Sequence, residues 1–116
     1  MPVDLEALES TAAALGAEAL LVTVSDAATP HVVSTIVGWR DGAIETGAGR
    51  RTAANVAAHP VVTLLWPAAK DGAYRLIVDG DATVTDETIT VTPTFAVLHR
   101  IAGAAGEGPS CLPVES

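Results

Sequence analysis

The sequence predicts a mainly β protein, a six-stranded antiparallel barrel with short flanking helices. The 116-residue chain contains 14 Val and 13 Thr but four aromatic residues, and β-branched side chains favour the pleated surface of a strand. Apolar runs of strand length alternate with Gly, Pro and Asp turn signals, as in a barrel or a sandwich. Because six strands in an open sheet would leave two bare edges, closure into a barrel is favoured.

The first segment, residues 4–15, is predicted to form a short helix. Acidic residues occupy its first turns, where the helix dipole favours negative charge, and Gly16 follows as a stop signal. Apolar residues recur on one face at helical spacing, at Leu5, Leu8, Ala12 and Leu15.

Three strands are predicted next, over residues 18–25, 31–39 and 43–46. Polar turn residues around Pro30 separate the first two strands. Asp41-Gly42 is a strong signal for a tight hairpin turn between the second and the third. We therefore expect these three strands to form an antiparallel meander.

A helix from Arg50 to Ala58 is predicted after this meander. Gly47 and Gly49 open the preceding loop, and Pro60 ends the helix because the residue before proline avoids the α region. The apolar run 61–66 then predicts a buried strand.

The last third of the domain is predicted as two more strands and a terminal helix. Residues 73–86 have the alternation of a long strand, in which Gly80 indicates a bend or bulge. A short strand over 88–92 follows, and Pro93 suits the first position of a helix over 93–102. Residues 1–102 thus form one domain, and the Gly- and Pro-rich residues 103–116 are expected to be a flexible tail.

Charge and composition exclude several classes of protein. Six Lys and Arg against fourteen Asp and Glu give a net charge of −8, which argues against a nucleic-acid or anionic-membrane partner. No apolar run approaches the ~18 residues of a membrane span. Residues 1–16 carry no Lys or Arg, unlike a targeting leader. Because the single Cys111 cannot form an internal bridge, we expect a cytoplasmic protein.

The most informative positions are Arg50 and Arg51, which hold one third of the positive charge at the start of the predicted helix. Backbone N–H groups at a helix start favour an anion. The two guanidinium groups and the Thr52 hydroxyl would add charge-assisted hydrogen bonds to a phosphate, and Asn55 shares the helix face of Arg51. The alternative is that both arginines are solvated and pair with nearby acids.

These residues also carry a resemblance to a known family. The 31–39 strand, the Asp41-Gly42 turn, the run RRTAANVAAHPVVTLLWP and the later IVDGDATV resemble the flavin-binding split barrels related to pyridoxamine 5′-phosphate oxidase. The similarity covers roughly residues 16–100. It implies a six-stranded split barrel that dimerises, with two equivalent cofactor sites at the dimer interface.

The resemblance also implies a set of cofactor-binding positions. Arg51 matches the phosphate-binding arginine of the family, flanked by Arg50 and Thr52, and Asn55 matches a polar helix position. Thr46 falls near the phosphate, and the strand beside the flavin ring holds Val33, Ser34 and Thr35. Two positions depart from the family pattern: Thr52 replaces a common Lys, and His31 replaces an Arg of the oxidase.

The cofactor implied by the family is FMN, with the deazaflavin coenzyme F-420 as the alternative. We expect an oxidoreductase that acts on a small molecule, with no catalytic side chain and no metal. A non-catalytic protein that binds or carries flavin, deazaflavin, haem or another tetrapyrrole remains the alternative from another class. A barrel that has lost its ligand is the third.

The remaining polar and aromatic candidates have more ordinary interpretations. The histidines lack metal-ligand spacing; His59 is expected to cap a helix end, and His99 could contact a ligand or lie at the surface. Trp39 and Trp66 are expected to pack in the core or at an interface rather than against a ring cofactor. Asp79 and Asp81 are expected on a solvated strand face, and Cys111 has no basic neighbour that would activate it.

Overall fold

The structure is a computed structural model that describes residues 1–67 and 72–102. A 3-10 turn, Leu5–Ala7, leads into helix α1, Leu8–Ala13, and a second helix, α2, spans Arg50–Ala58. The seven strands are β1 (Glu18–Val24), β2 (Pro30–Ile36), β3 (Gly38–Arg40), β4 (Ala43–Gly47), β5 (Val61–Leu65), β6 (Tyr74–Thr85) and β7 (Thr88–Arg100). The predicted flexible tail, 103–116, lies outside the described residues.

All seven strands join one antiparallel sheet in the order β2-β1-β5-β6-β7-β4-β3. The first and last strands in this order, β2 and β3, are consecutive in the chain. One bent segment, 30–40, therefore supplies both edges of the sheet, and β2 lies near β4 across the gap. The mainly β split-barrel fold class is confirmed as this curled half-barrel.

The predicted strand count was wrong by one, because the 31–39 run is broken at Val37. The Val37 N–H donates to the carbonyl of Ala17, 2.7 Å away, which extends the β1–β2 register by one pair; the chain then leaves β1. The first half of the run pairs with β1 and the second half with β4. The meander is thus bent at its middle strand, since a single straight strand could not reach both edges.

The Asp41-Gly42 hairpin is confirmed in detail. Asp41 has φ +52° and Gly42 φ +83°, the pair of positive values that defines a type I′ turn. This turn matches the right-handed twist of β3 and β4, and it fixes their register at Arg40 opposite Ala43.

The predicted helix over 93–102 was wrong, because β7 continues as a strand through Pro93 to Arg100. Phe95 pairs with Asp79 and Pro93 with Gly80, so Thr94 is an extra residue in a β-bulge. The missing N–H of a proline is tolerated at such a bulge. The Thr94 hydroxyl donates to the Asp79 carbonyl at 3.2 Å, which holds the bulge in place.

The inner face of the sheet packs into one apolar core beneath the two helices. Alternate residues of β6 point inward as the period-two pattern predicted, and α2 lays Asn55 and Val56 against β1 and β6. The largest completely buried apolar side chains are Trp66, Leu8, Leu21, Ile44, Leu64, Leu76 and Ile89. Burial of aliphatic side chains stabilises the domain, by roughly 25 cal/mol of free energy for each Å² of apolar area removed from water.

The opposite side of the sheet carries ten apolar side chains that are exposed or half-buried. Cross-strand register places them on one surface, since partners such as Val22 and Val32 point to the same side. We call this the outer apolar face: Leu20, Val22, Val24, Val32, Ile36, Val61, Leu65, Ile77, Phe95 and Val97. A surface of this extent is typical of an interaction site.

Among the described residues, no helix is long and apolar enough to span a membrane.

Candidate functional site

The candidate site is built on the start of α2. Gly49 forms the N-cap with extended backbone, and no side chain caps the helix. The first hydrogen bond of the helix runs from the Ala53 N–H to the Gly49 carbonyl, 2.9 Å. The N–H groups of Arg50, Arg51 and Thr52 therefore have no acceptor within the helix, and its first turn contains no acid.

Both arginines at this helix start are exposed, and neither forms an ion pair with a described residue. The alternative that they pair with nearby acids is thus not seen within residues 1–67 and 72–102. Arg40, by contrast, lies 3.3 Å from the Glu45 carboxylate. Two adjacent cations at the positive end of a helix dipole raise the free energy of the fold slightly unless an anion binds there.

A cavity of about 290 Å³ opens beside Arg51, between α2 and the turn that joins β1 to β2. Two predicted residues, Arg51 and Asn55, line it together with His31. Its full lining is Ser25, Thr29, Pro30, His31, Arg51 and Asn55. The cavity therefore combines a guanidinium, an imidazole, an amide and two hydroxyl groups, a set that suits an anion or a polar ligand.

A buried hydrogen bond fixes the inner wall of this cavity. The Asn55 Nδ2 donates to the Thr23 Oγ1 at 3.1 Å, and both side chains are buried. Thr23 pairs with His31 in the sheet register, so one contact ties α2 to both strands beside the cavity. Sequence reasoning missed Thr23, although a single Thr at an inward position of an otherwise apolar strand is a signal for a buried polar contact.

The predicted ring-side strand residues lie on two faces of β2. Val33 and Thr35 point toward the inner face, as their partners Leu21 and Ala19 do. Ser34 points to the outer face, where its hydroxyl donates to the Glu18 carboxylate at 3.4 Å. Because side chains alternate along a strand, these three cannot line one surface through their side chains.

The other predicted residues lie outside the Arg51 cavity. Thr46 is buried, and its hydroxyl donates to the Gly47 carbonyl at 3.0 Å. Thr52 is also buried, on the side of α2 that packs against the sheet. Arg50 lies at the helix start but does not line the cavity. Arg51 and Asn55 are thus the two predicted residues that the fold brings together around one space.

The remaining candidates occupy structural positions. Trp66 is completely buried, and its indole Nε1 donates to the Gly16 carbonyl at 3.1 Å, which confirms its core role. Half-buried Trp39 packs against the same core. His59 forms the C-cap of α2, as predicted. Asp79 is half-buried, and its carboxylate accepts the Thr63 hydroxyl at 2.7 Å, so it is less solvated than predicted.

No group of three or more His, Cys, Asp or Glu residues within 1–67 and 72–102 is placed to hold a metal ion. Cys111 lies outside the described residues.

Comparison with known proteins places this chain in a family. No protein-family model matches the chain. Uncharacterized proteins of Mycobacterium bovis and Mycobacterium tuberculosis are each 37% identical to it over 109 residues, covering 79% of this chain and 75% of each relative. The chain belongs to their family.

Solved structures share its fold. A Clostridium acetobutylicum protein of the pyridoxinephosphate oxidase family matches 84% of this chain and 91% of its own, with a TM-score of 0.64 and 11% identity. An F420 reductase matches 69% of this chain and 88% of its own, with a TM-score of 0.56 and 18% identity. The haem storage protein HutZ of Vibrio cholerae matches 83% of this chain and 95% of its own, with a TM-score of 0.63 and 14% identity. The fold is therefore the split barrel of the pyridoxamine 5′-phosphate oxidase-like proteins, which confirms the fold that the family resemblance implied.

Proposed function

We propose that this split barrel binds a flavin-type cofactor, FMN or the deazaflavin F-420, and works as an oxidoreductase on a small molecule. The observation that carries the proposal is Arg51, a guanidinium without a described ion-pair partner, beside a polar cavity at an uncapped helix start. In a chain of net charge −8, this local positive site favours an anionic group such as the phosphate of the cofactor.

The residues around the cavity fit a phosphate in their donor chemistry. The Arg51 guanidinium and the N–H groups of the first turn of α2 can donate charge-assisted hydrogen bonds to it. His31 on the opposite wall can donate another from its ring. Asn55 is held by Thr23, so the helix that carries Arg51 keeps a fixed orientation toward the strands.

A bound flavin or deazaflavin would supply the hydride chemistry, while the protein binds it, orients it and excludes water. A cavity of about 290 Å³ is at the small end of ligand pockets, which enclose ~300–1,000 Å³. One chain therefore offers room for the phosphate end of such a cofactor and needs a further surface for its ring.

Non-catalytic binding or transport of a flavin, deazaflavin or haem is the second candidate function. The similarity in fold to HutZ, a haem storage protein, favours this candidate. His31 and Thr52 replace cations that the family resemblance leads us to expect at the FMN phosphate. A weaker FMN site shifts the balance toward the deazaflavin or toward a carrier role.

The absorbance spectrum of the purified protein tests the cofactor proposal. We expect a flavin or deazaflavin band that survives desalting, either as purified or after addition of FMN or F-420. A Soret band after addition of haem alone would favour the carrier function. No spectral change with any of the three would contradict both candidate functions.

We also propose that two copies assemble through the outer apolar face. Val32, Ile36, Val61 and Phe95 are each at least half exposed there, and a second copy would cover them. The family resemblance implies the same homodimer. The acidic chain and its single cysteine favour a cytoplasmic location without a nucleic-acid or membrane partner.

Val61→Asp tests this interface, because it places a charge at a position that is 63% exposed in the single chain. We expect the wild-type protein to have a dimeric mass by light scattering at micromolar concentration and the variant to have a monomeric mass, since burying an unpaired carboxylate is costly. Thr85→Asp, at the exposed far end of β6, is the matched control and should stay dimeric. A monomeric wild-type protein would contradict the proposal.

A further inference from the structure

The middle of the outer apolar face is a row of apolar side chains that runs across the strands. Leu65, Ile77 and Val97 are direct cross-strand partners on β5, β6 and β7. Leu20 on β1 continues the row beside Leu65. We call these four residues the central row, and all four are half-buried in the single chain. Because β6 is the fourth of seven strands in the sheet order, the row crosses the centre of the sheet.

Side chains of opposite charge flank the central row on β6. Alternate residues of a strand share a face, so Arg75 and Asp79 lie on the same side of the sheet as Ile77. One precedes Ile77 by two positions and the other follows it by two, roughly 7 Å along the strand in each direction. His99 pairs with Arg75, and Thr63 pairs with Asp79. Around β6 the face is therefore basic on one side of the row and acidic on the other.

Neither of these two charges joins an ion pair within the part of the chain that the structure describes. The Asp79 carboxylate is half-buried and accepts the Thr63 hydroxyl at 2.7 Å. The Nε of exposed Arg75 donates to the Pro67 carbonyl at 3.1 Å, which leaves the terminal nitrogens of the guanidinium for another acceptor. If a second copy covers this face, the Asp79 carboxylate needs a cation, because burying an unpaired charge is costly.

We propose that two copies pack with their two-fold axis along the central row, so that Arg75 of each copy pairs with Asp79 of the other. The inference rests on the proposed dimer through the outer apolar face and specifies its register. A two-fold axis along the row places the two faces against each other with their strands reversed, and Ile77 meets its own counterpart. Residues two positions before Ile77 then meet residues two positions after it in the other copy. The apolar row is buried against itself, and two equivalent ion pairs flank it.

Charge reversal with mixing of variants tests this register. Arg75→Glu places carboxylates against each other at both pairs, and Asp79→Lys does the same with cations. We expect either substitution to raise the dimer dissociation constant about a hundredfold or more, giving a monomeric mass by light scattering where the wild-type protein is dimeric. An equimolar mixture of the two variants should recover dimers, because both pairs of the mixed dimer join opposite charges. Native mass spectrometry with one variant isotopically labelled identifies that mixed dimer.

Asp81→Lys is the matched control, since Asp81 is an exposed acid two residues beyond Asp79 on the same face of β6. Its counterpart across the axis is uncharged Ala73, so this variant should stay dimeric and should form mixed dimers with Arg75→Glu far more weakly. Circular dichroism confirms that each variant is folded. If Asp79→Lys does not fold, Asp79→Asn replaces it, and its mixed dimer with Arg75→Glu should still be more stable than the Arg75→Glu homodimer.

The outcomes separate the register from the dimer itself. If Arg75→Glu remains as dimeric as the wild-type protein, or if the folded variants do not form mixed dimers, the Arg75–Asp79 register is wrong. The dimer through the outer apolar face would still stand in that case, provided that Val61→Asp disrupts it. A monomeric wild-type protein would overturn both proposals.

Discussion

Arg51→Ala is expected to weaken binding of FMN, or of F-420 if that is the cofactor, by about ten- to a hundredfold. The substitution removes charge-assisted hydrogen bonds worth roughly 1.5–3 kcal/mol at the proposed phosphate position. Because Arg51 is exposed and makes no ion pair with a described residue, its loss should leave the fold intact. Titration of the cofactor, followed by its fluorescence or absorbance, measures the change.

Arg50→Ala is the matched control for this experiment. Arg50 precedes Arg51 on the same helix start and is also exposed, so both variants lose one charge and gain similar helix propensity. Arg50 does not line the cavity. We therefore expect only a few-fold loss of cofactor affinity, because Arg50 attracts the phosphate at longer range. Unchanged affinity in both variants would place the phosphate elsewhere, and a larger effect of Arg50 would reverse their assigned roles.

Gly80→Ala is expected to produce the largest loss of stability, roughly 2–4 kcal/mol. A Cβ atom at Gly80 would lie 2.6 Å from both the Thr92 carbonyl oxygen and the Val91 Cγ1. The Thr92 backbone cannot move away from this Cβ atom without shifting β7 at the bulge. The substitution therefore strains the pairing of β6 with β7, the two longest strands. Urea denaturation followed by circular dichroism measures the change in the free energy of unfolding.

Gly38→Ala separates this close contact from the general effect of replacing a strand glycine. At Gly38 the nearest atom to an added Cβ is the Glu45 carbonyl oxygen, 3.9 Å away, which is an ordinary contact. Alanine there should change the free energy of unfolding by less than about 1 kcal/mol, because it meets no close neighbour and makes the unfolded chain less flexible. Equal losses in the two variants would show that the bulge has no special packing.

Local signals in the sequence were sufficient for most elements. Arg50–Ala58 was predicted with its observed bounds because glycines precede it and Pro60 follows. Asp41-Gly42 identified its turn since few residues adopt positive φ without cost. Gly80 was predicted to mark a bend or bulge, and the register shift lies there, although the extra residue belongs to the partner strand. The helix and the turn each depend on residues close in sequence.

The errors arose where partners distant in sequence decide the outcome. Pro93 is equally compatible with a helix start and with a bulge, and only its pairing with Gly80 selects the bulge. The break at Val37 depends on distant strands, because the residues before it pair with β1 and the residues after it pair with β4. Because local propensity is weaker than a complete ladder of strand hydrogen bonds, β7 remained a strand to Arg100.

The sequence by itself determined a small acidic β domain and pointed to the helix start at Arg50 and Arg51 as the place for an anion. Only the tertiary structure decided which predicted residues meet. It joined Arg51 and Asn55 to His31 and Thr23, and it placed Ser34 on the opposite face. The reason is physical: charge and turn chemistry are properties of local sequence, whereas a cavity exists only where the sheet curls to bring distant strands under one helix.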